Sequence, residues 1–252
     1  MSTQRPLFEP PKEWVVPQSL PDLSDAKEIA IDLETYDPGI KDTGPGWATG
    51  RGHVAGIAIA VDGWKGYFPV RHEGGGNFDE EGLRNQLSKL LKNDADKIFH
   101  NASYDLGWLK RWGVEVKGRC IDTMIAAAVV DENRMPGQYN LNAVARDYIQ
   151  EKKDESLLYE AARAWQIDAK AEMYKLPYQY VGPYAEQDAA MTLRLWNALK
   201  IQIKKQELNS IFDLETELLP VLVAMKWNGV RVDLEKANNL KKQIQKEENI
   251  IL

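Results

Sequence analysis

Cysteine is almost missing. Cys120 is the only one in 252 residues, so no disulfide within the chain can form and no stapled small-domain framework applies. Histidine is scarce as well, and three scattered imidazoles with one thiol are too few for a zinc site. No apolar run approaches the roughly 20 residues a membrane-crossing helix needs, and no charged, apolar, small-residue leader opens the chain. These absences predict no membrane partner and a reducing, cytoplasmic setting. Positive charge is not in excess: 32 Lys+Arg against 38 Asp+Glu give −6. A protein that coats duplex by neutralising many phosphates is thereby disfavoured, whereas one that grips a few nucleotides is not. What is present is 44% hydrophobic content, enough for one substantial core and part of a second.

Pro6, Pro10, Pro11, Pro17 and Pro21 predict an extended arm over residues 1–27, because each fixes φ and removes a donor. Glu28 to Glu34 reads as a buried strand, followed by a long Gly-rich loop from Asp37 to Gly52. His53–Val61 and Trp64–Val70 pair as a hairpin across Asp62-Gly63. Leucines at helical spacing predict a helix over Phe78–Asn93, then a strand over Lys97–His100. The next helix is expected to be capped by Ser103 and closed by Gly113. Val114–Ile121 reads as a further strand, Thr123–Asp131 and Leu141–Gln150 as helices, and the charged stretch 151–175 as helical. A long helix is expected from Tyr184 to Leu208. After Asn209 the pattern changes to two helices, Asp213–Asn228 and Asp233–Leu252, around Asn228-Gly229. The second carries an apolar stripe of Leu234, Ala237, Leu240, Ile244 and Ile251 with no stop signal, which suggests a piece of something longer. Strands first and helices later imply an α/β sheet with a helical flank.

Four acids stand out in this frame: Asp32 and Glu34 in IAIDLET, Asp105 in FHNASYD, and Asp188 in YAEQD with Tyr184 four residues before it. Asp32 and Glu34, at i and i+2, leave the same face of their strand and can share one cation. Taken singly, an Asp-x-Glu pair is a weak signal that solvated loop-edge acids also explain, and Tyr-x-x-x-Asp on a helix is weaker. Their joint order is the informative part. Were the fold to gather them, two carboxylates about 4 Å apart would repel by ~4 kcal/mol at an effective dielectric near 20, a shift of about three pKa units. Oxygen-only ligands select hard cations, so two Mg²⁺ or Mn²⁺ ions are the expected counter-charge. Such a pair clamps the attacking and leaving oxygens of a phosphodiester and needs no histidine base. Tyr184, whose phenol ordinarily titrates near about 10, should stay neutral and orient the attacking water.

These segments resemble the exonuclease motifs of the DEDD superfamily in its tyrosine subclass; the histidine subclass would need His where Pro183 stands. More closely, the chain resembles the N-terminal proofreading part of bacterial and phage family A DNA polymerases. KIFHNASYDLGWL, CIDTMIAAAVVDE, YNLNAVARDY and YVGPYAEQDAAMTLRLW follow IAIDLET in the expected order over residues 28–209. The resemblance implies a ribonuclease H-like mixed sheet flanked by helices, with a C-terminal helical hairpin. It implies that Asp32 bridges two metals, that Glu34 and Asp188 hold the one carrying the nucleophilic water, and that Asp105 holds the second. Thr35, Asn101 and Tyr104 would line the 3′-terminal nucleotide. Glu215–Asp233 looks like the start of a polymerase thumb, so residues 210–252 are expected to be a thumb-like segment and a polymerase domain or replication partner is a candidate neighbour. No family A catalytic His-Asp-Glu or nucleotide-binding helix motif occurs, so no polymerase activity is expected of this chain.

The activity so implied is 3′-to-5′ hydrolysis of single-stranded or frayed DNA ends to nucleoside 5′-monophosphates in a bacterial or phage-infected cell. A ribonuclease D-like trimming enzyme shares the chemistry. A non-catalytic DNA-binding or scaffold module is the alternative from another class, although such a binder gains nothing from acids facing phosphates. Lys226, Arg231, Lys236, Lys241, Lys242 and Lys246 could follow a phosphate backbone or simply form a solvated face.

Overall fold

The computed structural model describes residues 14–251. A five-stranded mixed sheet runs in the order β3-β2-β1-β4-β5. β1 (Glu28–Tyr36), β2 (His53–Val61) and β3 (Trp64–Pro69) form an antiparallel meander. β4 (Asp96–Phe99) and β5 (Cys120–Asp122) extend it in parallel from the other edge of β1. The parallel steps are bridged by α2 (Glu80–Leu90) and α3 (Ala102–Trp112), as parallel pairing requires.

Side-chain alternation gives β1 two unlike faces. Ile29, Ile31 and Leu33 join Ile57, Ile59 and Phe68 of the meander and pack on Leu83, Leu87, Trp108 and Leu109 of α2 and α3. The opposite face carries Ala30, Ala58 and Ala60. Small residues there let α7 (Tyr178–Lys205) lie close across β1, β2 and β3, burying Val181, Ala185, Ala189, Leu195 and Leu199. α4 (Thr123–Val130), α5 (Leu141–Ile149) and α6 (Ser156–Trp165) complete this layer. Each fully buried Leu or Ile contributes about 1.5–3 kcal/mol relative to exposure.

Several expectations need correction. Ser103 does not cap α3: Asn101 occupies the cap position in the left-handed region (φ 69°), and Asp122 supplies the acceptors, taking Asn101 N–H at 2.9 Å and Ala102 N–H at 2.8 Å. The strand expected over Val114–Ile121 shrinks to Cys120–Asp122, because Gly113 (φ 83°) and Gly118 (φ 81°) turn the chain between them. The long helix begins at Tyr178, so Tyr184 and Asp188 lie within it and Pro183 is inside; burial of Tyr180 and Val181 holds the turn that proline chemistry argues against. The stretch 151–175 is helical only over Ser156–Trp165 and a 3₁₀ turn at Met173–Lys175. The loop 37–52 contains a one-turn helix, α1 (Gly46–Thr49), whose Trp47 is buried against Gly107 and stacks on Trp227.

Residues 1–13 of the expected arm lie outside the described residues; 14–27 hold no helix or strand, and Trp14 packs on Tyr178 and Gly182 of α7. α8 (Asn209–Asn228) docks through Phe212, Thr216, Leu219 and Val223, whereas α9 (Leu234–Ile251) is exposed from Leu234 to Ile250. Among the described residues no helix is long and apolar enough to cross a membrane.

Candidate active site

Asp32 and Glu34 leave the small-residue face of β1, beneath α7. The register between β1 and β2 shifts between Glu34 and Thr35, where an irregularity re-aims the strand end beside the acids. Gly56, opposite Glu34, has a packing reason: a Cβ there would lie 2.1 Å from the Tyr67 hydroxyl oxygen.

Asp105 comes from the first turn of α3, and its Oδ1 accepts the Leu33 N–H at 3.0 Å, which inserts the carboxylate between Asp32 and Glu34 along the backbone of β1. Asp188 comes from α7, which is pinned on both sides of that residue. Glu186 Oε1 accepts the Tyr67 N–H from β3 at 3.0 Å, and Glu28 of β1 receives Trp196 Nε1 at 3.0 Å and Lys200. The fold thus draws four acids separated by up to 156 positions into one patch. Glu34, Asp105 and Asp188 are 6%, 5% and 4% exposed, and Asp32 is partly buried.

Burial raises every one of these carboxyls, and the charge of a neighbouring acid adds to it at Asp32, Glu34 and Asp105. Asp32 is pushed to about 7 by burial and then by the charge of Asp188, against the pull of Lys153 and Lys170. Burial, then Asp32 and Asp188, lift Glu34 well above the carboxylate range; burial, then Asp32, lift Asp105 despite its Leu33 bond. Asp188 is raised by burial, with Lys153 opposing. Tyr184 is held well above an ordinary phenol, first by burial and then by Asp188, Glu34 and Asp32, so it is protonated at neutral pH.

The carboxylates are neighbours without ringing a single point: among the described residues no three His, Cys, Asp or Glu side chains are grouped tightly enough to hold a metal ion as they stand. The donor set nevertheless suits a hard cation. Glu34 Oε1 and Asp188 Oδ1 are buried with no hydrogen-bond partner, and all the donors are oxygens.

Thr35 and Tyr104 also meet, Thr35 Oγ1 lying 2.6 Å from Tyr104 Oη, which donates to Asp37 Oδ2 at 3.1 Å. They line a cleft of about 480 Å³ that Lys41, Tyr159 and Lys170 close from the other side. Lys170 Nζ links this cleft to the acids by donating to Tyr184 Oη at 2.7 Å. Asn101 stands exposed at the start of α3.

Sequence reasoning missed Asp122, Lys153 and Lys170. Asp122 caps both α3 and α4, and the cap signature in Asp122-Thr123 ahead of an apolar run could have found it. The two lysines sit in a charged stretch where nothing distinguishes them from surface residues.

Comparison with known protein families matches residues 18–204 to a 3′-5′ exonuclease family. The chain belongs to that family. This exonuclease domain is 36% identical to a DNA-directed DNA polymerase of Pseudomonas phage M6 over 249 residues, 95% of this chain and 37% of the relative. It spans about a third of the length of the phage relatives it matches. In fold it is similar to NrnC of Brucella melitensis, solved with bound Mg²⁺, at a TM-score of 0.61 and 20% identity over 85% of this chain and 94% of that one. Escherichia coli RNase D, an exoribonuclease involved in structured RNA processing, aligns at 0.56 and 18% over 82% of this chain and 47% of that one. The 3′-5′ exonuclease domain of DNA polymerase-type proteins is therefore what this chain carries, on a ribonuclease H-like fold.

Proposed function

We propose that the domain shortens single-stranded or frayed DNA from its 3′ end, releasing nucleoside 5′-monophosphates in a proofreading role. The observation that carries this is the buried neighbourhood of Asp32, Glu34, Asp105 and Asp188, each raised by burial, with acid charges lifting Asp32, Glu34 and Asp105 further. Acids held so cost stability unless a cation offsets their charge, and a phosphodiester brings the need for one. Asp32, Glu34, Asp105 and Asp188 would hold two Mg²⁺ or Mn²⁺ ions. Bound there, they supply an acidified attacking water and charge stabilisation on the phosphate.

The chain's own groups supply the rest. A lysine only donates, so Lys170 occupies a lone pair of Tyr184 Oη and leaves the phenol proton free to orient a water or to face Asp188. The Thr35–Tyr104 pair lines the cleft that would receive the terminal nucleotide, the Thr35 hydroxyl and Tyr104 ring offering a polar and a stacking contact. Residues 28–209 form the exonuclease unit in this reading and 210–252 a thumb-like segment. The exposed Leu214, Leu218, Leu222 and Met225 of α8 offer a surface for a polymerase region or replication partner.

Asp188→Ala should abolish Mg²⁺-dependent shortening of a 3′-labelled oligonucleotide, and undiminished digestion would refute the assignment. Matched DNA and RNA strands separate proofreading from ribonuclease D-like trimming. Tight DNA binding without hydrolysis in Mg²⁺ or Mn²⁺ would favour a scaffold instead.

A further inference from the structure

Lys153 lies inside the acid cluster, and the chain around it is built to keep it there. Its Nζ is 2.5 Å from Asp188 Oδ2, with the two side chains 12% and 5% exposed, and 5.4 Å from the centre of the Tyr184 ring. The segment that bears it has no helix or strand to fix it. It is fixed by polar anchors. The Lys153 N–H donates to Asn142 Oδ1 and the Asp154 N–H to Gln187 Oε1, both at 3.1 Å, and Arg194 clamps both carboxylate oxygens of Glu151 at 2.6 and 2.5 Å. Two of these anchors, Gln187 and Arg194, are on α7 on either side of Asp188, so lysine and aspartate share one rigid frame. Lys152, next in the chain, is exposed.

The pairing leaves Asp188 asymmetric. Oδ2 is held by Lys153, while Oδ1 is buried with no hydrogen bond of ordinary geometry, as is Oε1 of Glu34, the Tyr184 phenol standing near enough to favour the Asp188 carboxylate. An ammonium on one oxygen fixes the rotamer of the carboxylate and thereby the aim of the other against repulsion from Asp32 and Glu34. A side chain serving only the fold would not need an unsatisfied oxygen beside it, since such groups are rare and costly.

We propose that Lys153 is a positioning residue of the exonuclease reaction, orienting the free oxygen of Asp188 and the Tyr184 ring; this rests on the function proposed above. It acts through those two groups, and its positive charge opposes any cation the acids would take. Removing it should therefore lower turnover while strengthening cation binding, a combination that loss of structure would not produce.

The test uses the full chain and its Lys153→Met, Lys153→Arg, Lys152→Met and Asp188→Ala variants. Readouts are single-nucleotide release from a 3′-labelled oligonucleotide, Mn²⁺ affinity by electron paramagnetic resonance, and the melting temperature. K153M should lose about 100-fold in kcat with KM within about threefold, the scale of a misplaced catalytic group. Its Mn²⁺ dissociation constant should fall about tenfold as a neighbouring positive charge disappears. K153R should recover at least about tenfold of the lost turnover, and K152M should match the parent. Unchanged kcat in K153M overturns the proposal. So does a collapsed melting temperature, or a lower kcat with weaker Mn²⁺ binding and no rescue by arginine, since either makes the ion pair a prop of the fold. If the parent chain neither binds Mn²⁺ nor loses activity in D188A, the site reading itself fails and this inference with it; equal Mn²⁺ binding in parent and K153M sinks the inference alone.

Discussion

The two faces of β1 contrast within one strand. Ile29, Ile31 and Leu33 point into a dense apolar layer against α2 and α3, while Ala30, Asp32 and Glu34 point under α7. One face is optimised for burial. The other accepts the Glu34 carboxyl at 6% exposure beside a partly buried Asp32, and leaves Glu34 Oε1 buried and unpaired. The difference teaches that stability and chemistry can be assigned to alternate residues of a strand, because a two-residue period separates them completely. Local rules of packing are broken on the side where function is expected, and the apolar side supplies the stability that permits it.

Neighbouring positions 31 and 32 allow that contrast to be broken deliberately. Asp32→Asn should cut nuclease activity by about 1,000-fold, roughly 4 kcal/mol of transition-state stabilisation, while leaving the melting temperature equal or higher because a repelled charge is gone. Oligonucleotide digestion and calorimetry on one preparation check both halves. Ile31→Ala should do the reverse, costing about 2–5 kcal/mol of stability through a cavity in the apolar layer, with the folded fraction still active. Urea unfolding measures the first quantity and specific activity below the transition measures the second.

A pH series sharpens the comparison. Asp32 is raised from 3.8 to about 7, so between those values the folded chain holds a proton the unfolded chain has released. Stability must then fall as pH rises through that window. In chelator the melting temperature should be higher at pH 5 than at pH 8, and Mg²⁺ should narrow the gap by offsetting the ionised acids. An inverse or absent pH trend would mean the carboxyls are not raised. The smallest effect belongs to α9, where Ile244→Lys should change the stability of this chain by less than about 0.5 kcal/mol because the side chain is already 53% exposed.

How legible the chain was depended on the range of the interaction. The hairpin at Asp62-Gly63, the strand around Ile29–Ile31 and the Gly113 stop were readable because their causes lie within a few residues. The start of the long helix was not, since Pro183 argues locally for a later start and burial of Tyr180 and Val181 overrules it. Ser103 was a reasonable cap by composition, but the acceptors come from Asp122, remote in sequence and adjacent only through the parallel pairing of β4 and β5.

Sequence by itself therefore determined which groups are available: one thiol, a set of acids with a tyrosine in a telling order, and the apolar periodicities that make a sheet and helices. Tertiary structure alone decided that Asp105 inserts against the backbone of β1, that Asp188 lies over the small-residue face, and that Lys153 reaches Asp188 from an otherwise unremarkable charged stretch. The reason is physical. Local patterns specify backbone conformation over a few residues, whereas the charge and burial a side chain experiences are set by whatever distant segments the packing brings beside it.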